Sequence, residues 1–344
     1  MISVFALRDG GLARAPDPGA GALPEGTVWI DLHDPSAEEE ARVERLLGLD
    51  IRTRDEMAEI EESARLYEEN GALYMTATVV AGASERRPAA AQVTFVLTRE
   101  RLVTVRYADP LPFRDFEAQC SRRPVARTTA DQVFLALAES VVNRVADLFE
   151  ASEAELDRLS AEIFADDDGP PPARLSGEPL AGKKPRLRRR RRQQTDLQAV
   201  LKRLGRTNLL AAKLRASLLS VGRMLAYHRQ GAGDRLPDGD RATLKALERD
   251  ARSLAEHDSQ LAAEIAFLLE ATLGLIDIEQ NRIIKVFSIA AVLFLPPTLV
   301  GTVYGMNFEH MPELRWLFGY PFALLMMVVS AIAPYYWFKH RGWL

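Results

Sequence analysis

The chain has 344 residues, 27% of them charged, a formal net charge of −4 and one cysteine, Cys120. That is enough for a soluble domain with its own core beside a membrane part. A lone thiol excludes an internal disulfide framework, suits a reducing compartment and reads as inert filler. Five scattered histidines without HxxxH or CxxC grouping give no structural zinc motif.

The N-terminus, MISVFALRDGG, holds no apolar run that could act as a signal peptide, so the bulk of the protein is expected to stay where it is made. Over the first 110 or so residues, 27–32, 72–80, 92–97 and 102–106 are rich in β-branched and aromatic residues and bounded by turn formers, which predicts strands. Ser36 with Glu39 three residues later is a capping box ahead of a helix at 41–47. The two patterns together predict an α/β domain.

From Thr129 the pattern turns helical. Val133, Leu137, Val141, Val145, Leu148, Ser152, Leu156, Leu159 and Ile163 recur at steps of three and four, the trace of one long helix. A proline-, glycine- and arginine-rich tract at about 166–195 predicts a disordered insertion at a hairpin tip. Helical periodicity resumes near Leu197 and runs to about Gln230. After the break at Pro237-Asp238-Gly239-Asp240 a second long helix begins. No proline and only Gly274 interrupt 241–295, so it should pass from soluble to membrane composition unbroken, roughly 80 Å at about 1.5 Å per residue. Leu247, Leu254, Leu261, Leu268 and Leu275 recur every seven residues on it, with Leu244, Ala251 and Ile265 at the complementary positions. Such a seam serves parallel self-association or packing against helices of the same subunit, or both, since a helix this long has more than one face to bury.

The last part of the chain carries two charge-free runs, 286–308 and 316–338, each long enough to cross a bilayer. Arg282 and Lys285 precede the first and Lys339 and Arg341 follow the second, whereas the loop offers Arg315 against Glu309 and Glu313. The positive-inside rule places both termini in the cytoplasm. Two helices cannot enclose a polar path, so ions pass only if several subunits assemble. Steps of three and four place Asn281, Ile284, Ser288, Ala291, Leu295, Thr298 and Thr302 on one stripe of the first span, alternating polar groups with apolar rings. That composition describes a narrow path with hydration sites and dewetting constrictions.

At the outer end of that span stands Tyr304-Gly305-Met306-Asn307-Phe308-Glu309-His310-Met311-Pro312-Glu313-Leu314. This segment resembles the CorA family of divalent-cation channels, whose pattern is Gly-Met-Asn followed by a Met-Pro-Glu-Leu loop. The likeness extends from Ile278-Glu279-Gln280-Asn281-Arg282 through Leu295-Pro296-Pro297-Thr298 to the terminal Lys339-His340-Arg341-Gly342-Trp343-Leu344. It implies a homopentamer in a bacterial-type inner membrane that conducts Mg²⁺, with Co²⁺ and Ni²⁺ as alternative substrates, and no enzyme. It also implies gating by cytoplasmic Mg²⁺ bound between subunits; acidic residues along 234–258 are candidates for that sensing. Gly305, Met306 and Asn307 become the selectivity filter. Asn281 and Thr298 become polar pore positions, Ile284, Phe287 and Leu295 constricting ones, and Glu270 a carboxylate ring lower down.

The chemistry is coherent with this. Mg²⁺ gives up water reluctantly, so a ring of Asn307 amides can hold it through its hydration waters without trapping it. An asparagine here also suits a helix C-cap, and both roles can operate together. Glycine at 305 lets the backbone approach the axis. Glu309 and Glu313 form an outer acidic ring that concentrates cations. His310 departs from the aromatic residue common in the family; imidazole favours softer metals, which keeps a ZntB-like zinc transporter open as an alternative.

The expected fold is therefore α+β. It comprises an α/β cytoplasmic domain (1–128), a helical hairpin (129–235), a stalk helix (236–285), a pore-lining span (286–308), an outer loop (309–317), a second span (318–338) and a cytoplasmic tail (339–344). Two further motifs are set aside. Gly177 to Lys184 nearly spells a phosphate-binding loop but lacks the final Ser/Thr and has no strand before it. The basic run 183–192 has no interleaved aromatics, so a solvated insertion is expected and no nucleic-acid partner, although a membrane-tethered scaffold or nucleic-acid-binding protein is the alternative from another class.

Overall fold

The computed structural model describes residues 1–16, 19, 21–59, 61–83, 88–164, 196–307 and 316–341. The insertion at about 166–195 with its basic run, the outer-loop residues Glu309, His310 and Glu313, and the terminal 342–344 lie outside the described residues.

The chain divides into two compact units, Met1–Leu269 and Glu270–Leu344. The first opens with strands β1 (Ile2–Arg8), β2 (Gly11–Ala15) and β3 (Thr27–His33), then short helices α1 (Ala37–Leu47), α2 (Arg54–Met57) and α3 (Glu62–Arg65). Strands β4 (Leu66–Glu69), β5 (Ala72–Ala81), β6 (Ala89–Leu97) and β7 (Leu102–Arg106) follow, then helices α4 (Leu111–Arg122), α5 (Ala130–Ile163) and α6 (Leu197–Ala232). Helix α7 (Asp238–Tyr304) begins in this unit and ends in the second, which also contains α8 (Gly319–His340).

The seven strands form one sheet in the order β2-β1-β3-β7-β6-β5-β4. Only β3 and β7 run parallel. The β1–β2 and β4–β5 hairpins turn on Asp9-Gly10 and Asn70-Gly71, all four residues at positive φ (49°, 79°, 51° and 76°). These are the sequences that two-residue hairpin turns of right-handed twist require. Both sheet faces are covered. Phe5, Trp29, Met75 and Phe95 point toward α4, α5 and α6, whereas Ile30, Leu32, Tyr74 and Val103 pack under Val43 and Met57 of α1 and α2. Helix α1 starts as its sequence dictates: Ser36 Oγ accepts from the Glu39 amide (3.3 Å) and Glu39 Oε2 from the Ser36 amide (2.9 Å). Glu39 also takes the N-terminal ammonium at 2.9 Å, which holds its carboxyl below the usual range.

Helix α4 is fixed to the sheet by a buried ionic cluster. Arg106, 2% exposed, reaches Asp31 at 3.0 Å, Asp109 at 2.8 Å and Glu117 of α4 at 2.5 Å. Thr104 donates to Asp31 and accepts from the Trp29 indole at 2.9 Å. Burial, and then the nearby Asp31 charge, push Glu117 up to about 7 despite Arg106. Cys120, one turn along α4, is buried and its thiol is pushed up to about 12, as an inert filler would be.

Helices α5, α6 and the first part of α7 pack together. All nine periodic residues of α5 named above are buried, and Thr129 caps the helix. On α7, Leu244, Leu247, Ala251, Leu261, Ile265 and Leu268 are buried and Leu254 packs against the same core. The heptad seam is thus covered inside the subunit as far as Leu268. Polar pins set the register. Arg203 of α6 meets Glu155 and Glu162 of α5, each at 2.8 Å. Arg215 of α6 meets Asp258 of α7, and His257 of α7 meets Glu153 of α5 at 2.6 Å. His228 contacts Asp131 at 2.9 Å. Burial alone would raise Asp131, but that hydrogen bond and the Arg235 guanidinium outweigh it and hold the carboxyl below its ordinary value. Among the acidic residues along 234–258, Asp258, Glu248 and Asp240 are engaged within the chain by Arg215, Arg229 and Gln132, whereas Asp250 and Glu256 stay exposed.

Candidate functional site

Within the second unit, α7 and α8 are both long and apolar enough to cross a bilayer, with mean hydropathies of 2.1 and 1.5 over their most apolar windows. None of that window is buried in α7 and 11% of it in α8. A core helix of a soluble protein would be covered; these two leave their apolar surface for lipid or for further copies.

The two helices meet along one stripe each. On α7 the half-buried residues are Ile289, Ala290, Leu293, Pro296, Pro297, Val300, Gly301 and Tyr304, again at steps of three and four. On α8, Met327, Ser330, Ala331 and Pro334 are half-buried and Gly319, Ala323 and Phe338 are buried. Small residues bring the backbones close: a Cβ on Gly301 would sit 3.2 Å from the Met327 methyl.

At about 100° per residue, the α7 positions nominated from sequence fall on the opposite side of the helix. Ile284, Phe287, Ala291, Leu295, Thr298 and Thr302 centre about half a turn away from Leu293 and Tyr304, and all six are exposed in the single chain, Phe287 by 72% and Leu295 by 67%. Asn281 lies toward one flank of that stripe and is exposed, as is Glu270 at the start of the unit. One helix therefore presents a face to α8 and a second, uncovered face carrying the nominated residues.

The hydroxyls on this face have a defined polarity. Thr298 donates to the Phe294 carbonyl at 2.7 Å and Thr302 to the Thr298 carbonyl at 2.8 Å. Their protons are used within the helix, so the oxygens present lone pairs outward as hydrogen-bond acceptors. Pro296 and Pro297 lie inside α7 and lack the amides that would have reached Val292 and Leu293, which leaves those carbonyls without helical donors.

Helix α7 ends at the Gly-Met-Asn triplet. The Gly305 amide still donates to Gly301 at 3.0 Å and the Met306 amide to Val303 at 3.3 Å, a tightening last turn, and Asn307 follows outside the helix and exposed. A Cβ at 305 would sit 3.1 Å from the Gly301 carbonyl oxygen, a backbone atom that cannot swing aside. Met306 is 43% exposed. The structure thus gathers Gly305, Met306 and Asn307 at one end of α7 and the six-residue stripe along it.

Sequence reasoning missed the α8-facing stripe, although its small residues and steps of three and four were visible in both runs. It also missed a cavity of about 350 Å³ on one flank of α7, lined by Asn281, Ile284, Lys285, Ser288, Ile289 and Phe338, for which no local signal exists.

A covered α/β domain, a long helical bundle and two C-terminal apolar helices, the first with an uncovered polar-and-apolar stripe, define the class of a membrane transport protein with a large soluble domain. Residues 24–177 and 183–340 match the family described as CorA-like Mg2+ transporter protein. The magnesium transport protein CorA of Escherichia coli (strain K12) is 33% identical over 344 residues, 100% of each chain. Among solved structures, the complete CorA magnesium transporter of Methanocaldococcus jannaschii has a TM-score of 0.69 and 16% identity, covering 100% of this chain and 99% of that one. The full-length CmaX protein has a TM-score of 0.62 and 19% identity, covering 99% and 97%. These two share the fold. The chain belongs to the CorA family, a family of transporters rather than enzymes.

Proposed function

We propose that the chain forms a homopentameric channel in a bacterial-type inner membrane that takes up Mg²⁺ passively, with Co²⁺ and Ni²⁺ as alternative substrates. The observation that carries this reading is the two-faced α7. A ring of such helices, with α8 outside, puts Asn281, Ile284, Phe287, Ala291, Leu295, Thr298 and Thr302 on the axis and keeps α8 between them and lipid. In this reading 286–308 is the pore-lining span, 318–338 the outer one, 309–317 the outer loop and 339–344 the cytoplasmic tail, with the α/β domain 1–128, the hairpin 129–235 and the stalk 236–285 in the cytoplasm.

Gly305, Met306 and Asn307 form the filter. Asn307 amides accept and donate hydrogen bonds to the waters of a hydrated ion, a grip weak enough to release it. Glu309 and Glu313 attract cations at the mouth, an effect that salt weakens. Glu270 forms a carboxylate ring below the span. Transport needs no nucleotide: the membrane potential supplies about 2.3 kcal/mol per charge per 100 mV, roughly twice that for a divalent ion. Cytoplasmic Mg²⁺ between subunits closes the pore, and the exposed Asp250 and Glu256 are its nearest acidic candidates on α7.

The test is metal flux into liposomes. Asn307→Ala should lower Mg²⁺ uptake at least tenfold while the oligomer persists; uptake at the unaltered rate defeats the filter assignment. Running Zn²⁺ beside Mg²⁺, with and without a pH gradient, separates this reading from a ZntB-like zinc transporter. Indifference of conductance to millimolar Mg²⁺ on the cytoplasmic side defeats the gating part alone.

A further inference from the structure

The uncovered stripe of α7 does not stop where the apolar run begins. At about 100° per residue, Asp277 stands roughly five full turns before Leu295 and shares its direction. That is about 40° from the centre of the stripe, and Gln280 lies about 20° to the other side of it. Asn281 follows Asp277 by one turn on the same flank, about 6 Å along the helix. All three are exposed, and none has a hydrogen-bond or ionic partner among the described residues. One turn of α7 thus presents a carboxylate and two amides with their oxygens unused.

The charges around them are sorted by face. Glu279 lies more than about 100° from the centre of the stripe and is met by Arg282 at 3.9 Å. Arg282 and Lys285 are the only cations between Glu270 and Tyr304, and both also lie more than about 100° away. The stripe therefore carries the carboxylates of Glu270 and Asp277 and no positive charge, and Asp277 is its last acidic residue before the span. In a single chain an exposed carboxylate is satisfied by water. Copies around a shared axis bring one Asp277 each to one level, where like charges repel unless a cation sits among them.

We infer that Asp277 forms a cation-binding ring at the end of the pore opposite Asn307, holding a hydrated divalent ion through its waters, with Gln280 and Asn281 as neutral acceptors beside it. Mg²⁺ keeps several of its waters and is met by few carboxylates rather than by a closed cage, and rings of Asp or Glu favour cations over anions. The depth suits a charge: Asp277 stands about 13 Å before Val286, outside the hydrocarbon, and about 10 Å before the constriction at Ile284. Glu270 is a separate level about 10 Å earlier on the same helix. The inference rests on α7 lining the pore as proposed, but not on the filter or on the gating.

The experiment uses the full chain in liposomes oriented with the soluble domain toward the bath, and reads Mg²⁺ entry at micromolar concentrations, below the millimolar level at which the proposed gating acts. A charged ring raises the local cation concentration about tenfold or more at low salt. Asp277→Asn should therefore raise the Mg²⁺ concentration for half-maximal entry about tenfold, while Asp277→Glu stays within about threefold of the parent. Glu279→Gln, at nearly the same depth on the far face, should leave that concentration unchanged. Salt near 1 M, where screening acts within about 3 Å, should bring the parent and the Asn variant together. A curve for Asp277→Asn that matches the parent, an equal loss in Glu279→Gln, or a gap that salt leaves untouched overturns the ring and leaves the channel reading standing. So does a loss in Asp277→Glu as large as in Asp277→Asn, which would mark shape rather than charge. Failure of the parent to pass Mg²⁺ in either orientation overturns the channel reading and the ring with it.

Discussion

Glu117 should make the α/β domain less stable as pH rises toward neutrality, the reverse of the usual carboxylate. Its folded-state value, about 7, stands above the ordinary 4.5 because burial and the Asp31 charge oppose ionisation more than Arg106 favours it. A group raised on folding binds its proton more tightly in the native state, so its stabilisation is full below about 4.5 and is lost as pH rises through about 7. The shift corresponds to roughly 3 kcal/mol at about 1.36 kcal/mol per unit, and solvent access at the site's edge reduces this to about 1–3 kcal/mol. Glu117→Gln mimics the protonated acid: its amide oxygen still accepts from Arg106 and its NH₂ can donate to Asp31. Carboxyls such as Glu39, Glu56 and Asp131 are lowered on folding and push the total curve the other way, so the informative quantity is the difference between parent and variant. Hydrogen exchange on peptides covering β7 and α4, corrected for intrinsic rate between pH 4.5 and 7.5, reads that difference. The variant should gain on the parent by about 1–3 kcal/mol across the window. Parallel profiles, or a parent that gains on the variant with rising pH, would refute the assignment.

Leu261→Ala should destabilise the helical bundle by about 2–5 kcal/mol, since Leu261 is 2% exposed in the single chain. The loss should be independent of protein concentration in chemical unfolding, because the seam is closed within the subunit; a concentration-dependent midpoint shift would return it to an intersubunit role. Gly305→Ala must move a methyl against the Gly301 carbonyl at 3.1 Å, so it should lower Mg²⁺ flux about tenfold or more while the oligomer stays intact by size-exclusion chromatography. Unchanged flux would show that the last turn of α7 relaxes freely.

Much of this molecule is written in local pattern. The capping box at Ser36, the nine-residue stripe of α5 and the strand at 102–106 were all legible because each depends on neighbours within a few residues. Strands β1, β2 and β4 were equally local yet unread: Asp9-Gly10 and Asn70-Gly71 are hairpin turns in their own right, flanked by Phe5 and Leu7 on one side and Tyr74 on the other. The ionic pins were not legible at all. His228 and Asp131, or Arg106 and Asp31, are brought together only by the fold, and each residue alone in the sequence looks like a solvated charge.

A deeper limit appears on α7. Periodicity says that a face must be buried; it does not say by what. The leucine heptads from Leu247 to Leu268 had the regularity of a parallel seam between copies, and α5 and α6 of the same chain cover them instead. Beyond Glu270 the arrangement inverts. There the stripe through Leu293 and Gly301 is met by α8, and the stripe through Phe287 and Leu295 is left uncovered, although both are apolar enough to be a core. In the proposed channel the uncovered stripe, carrying Thr298 and Thr302 whose hydroxyl protons are spent on the helix while their oxygens still accept, faces the wet axis shared with other copies. What distinguishes the two parts of one helix is therefore not how hydrophobic its faces are but where the acceptors point. On α7 the outward-facing threonine oxygens lie on the side that the subunit's own helices leave bare.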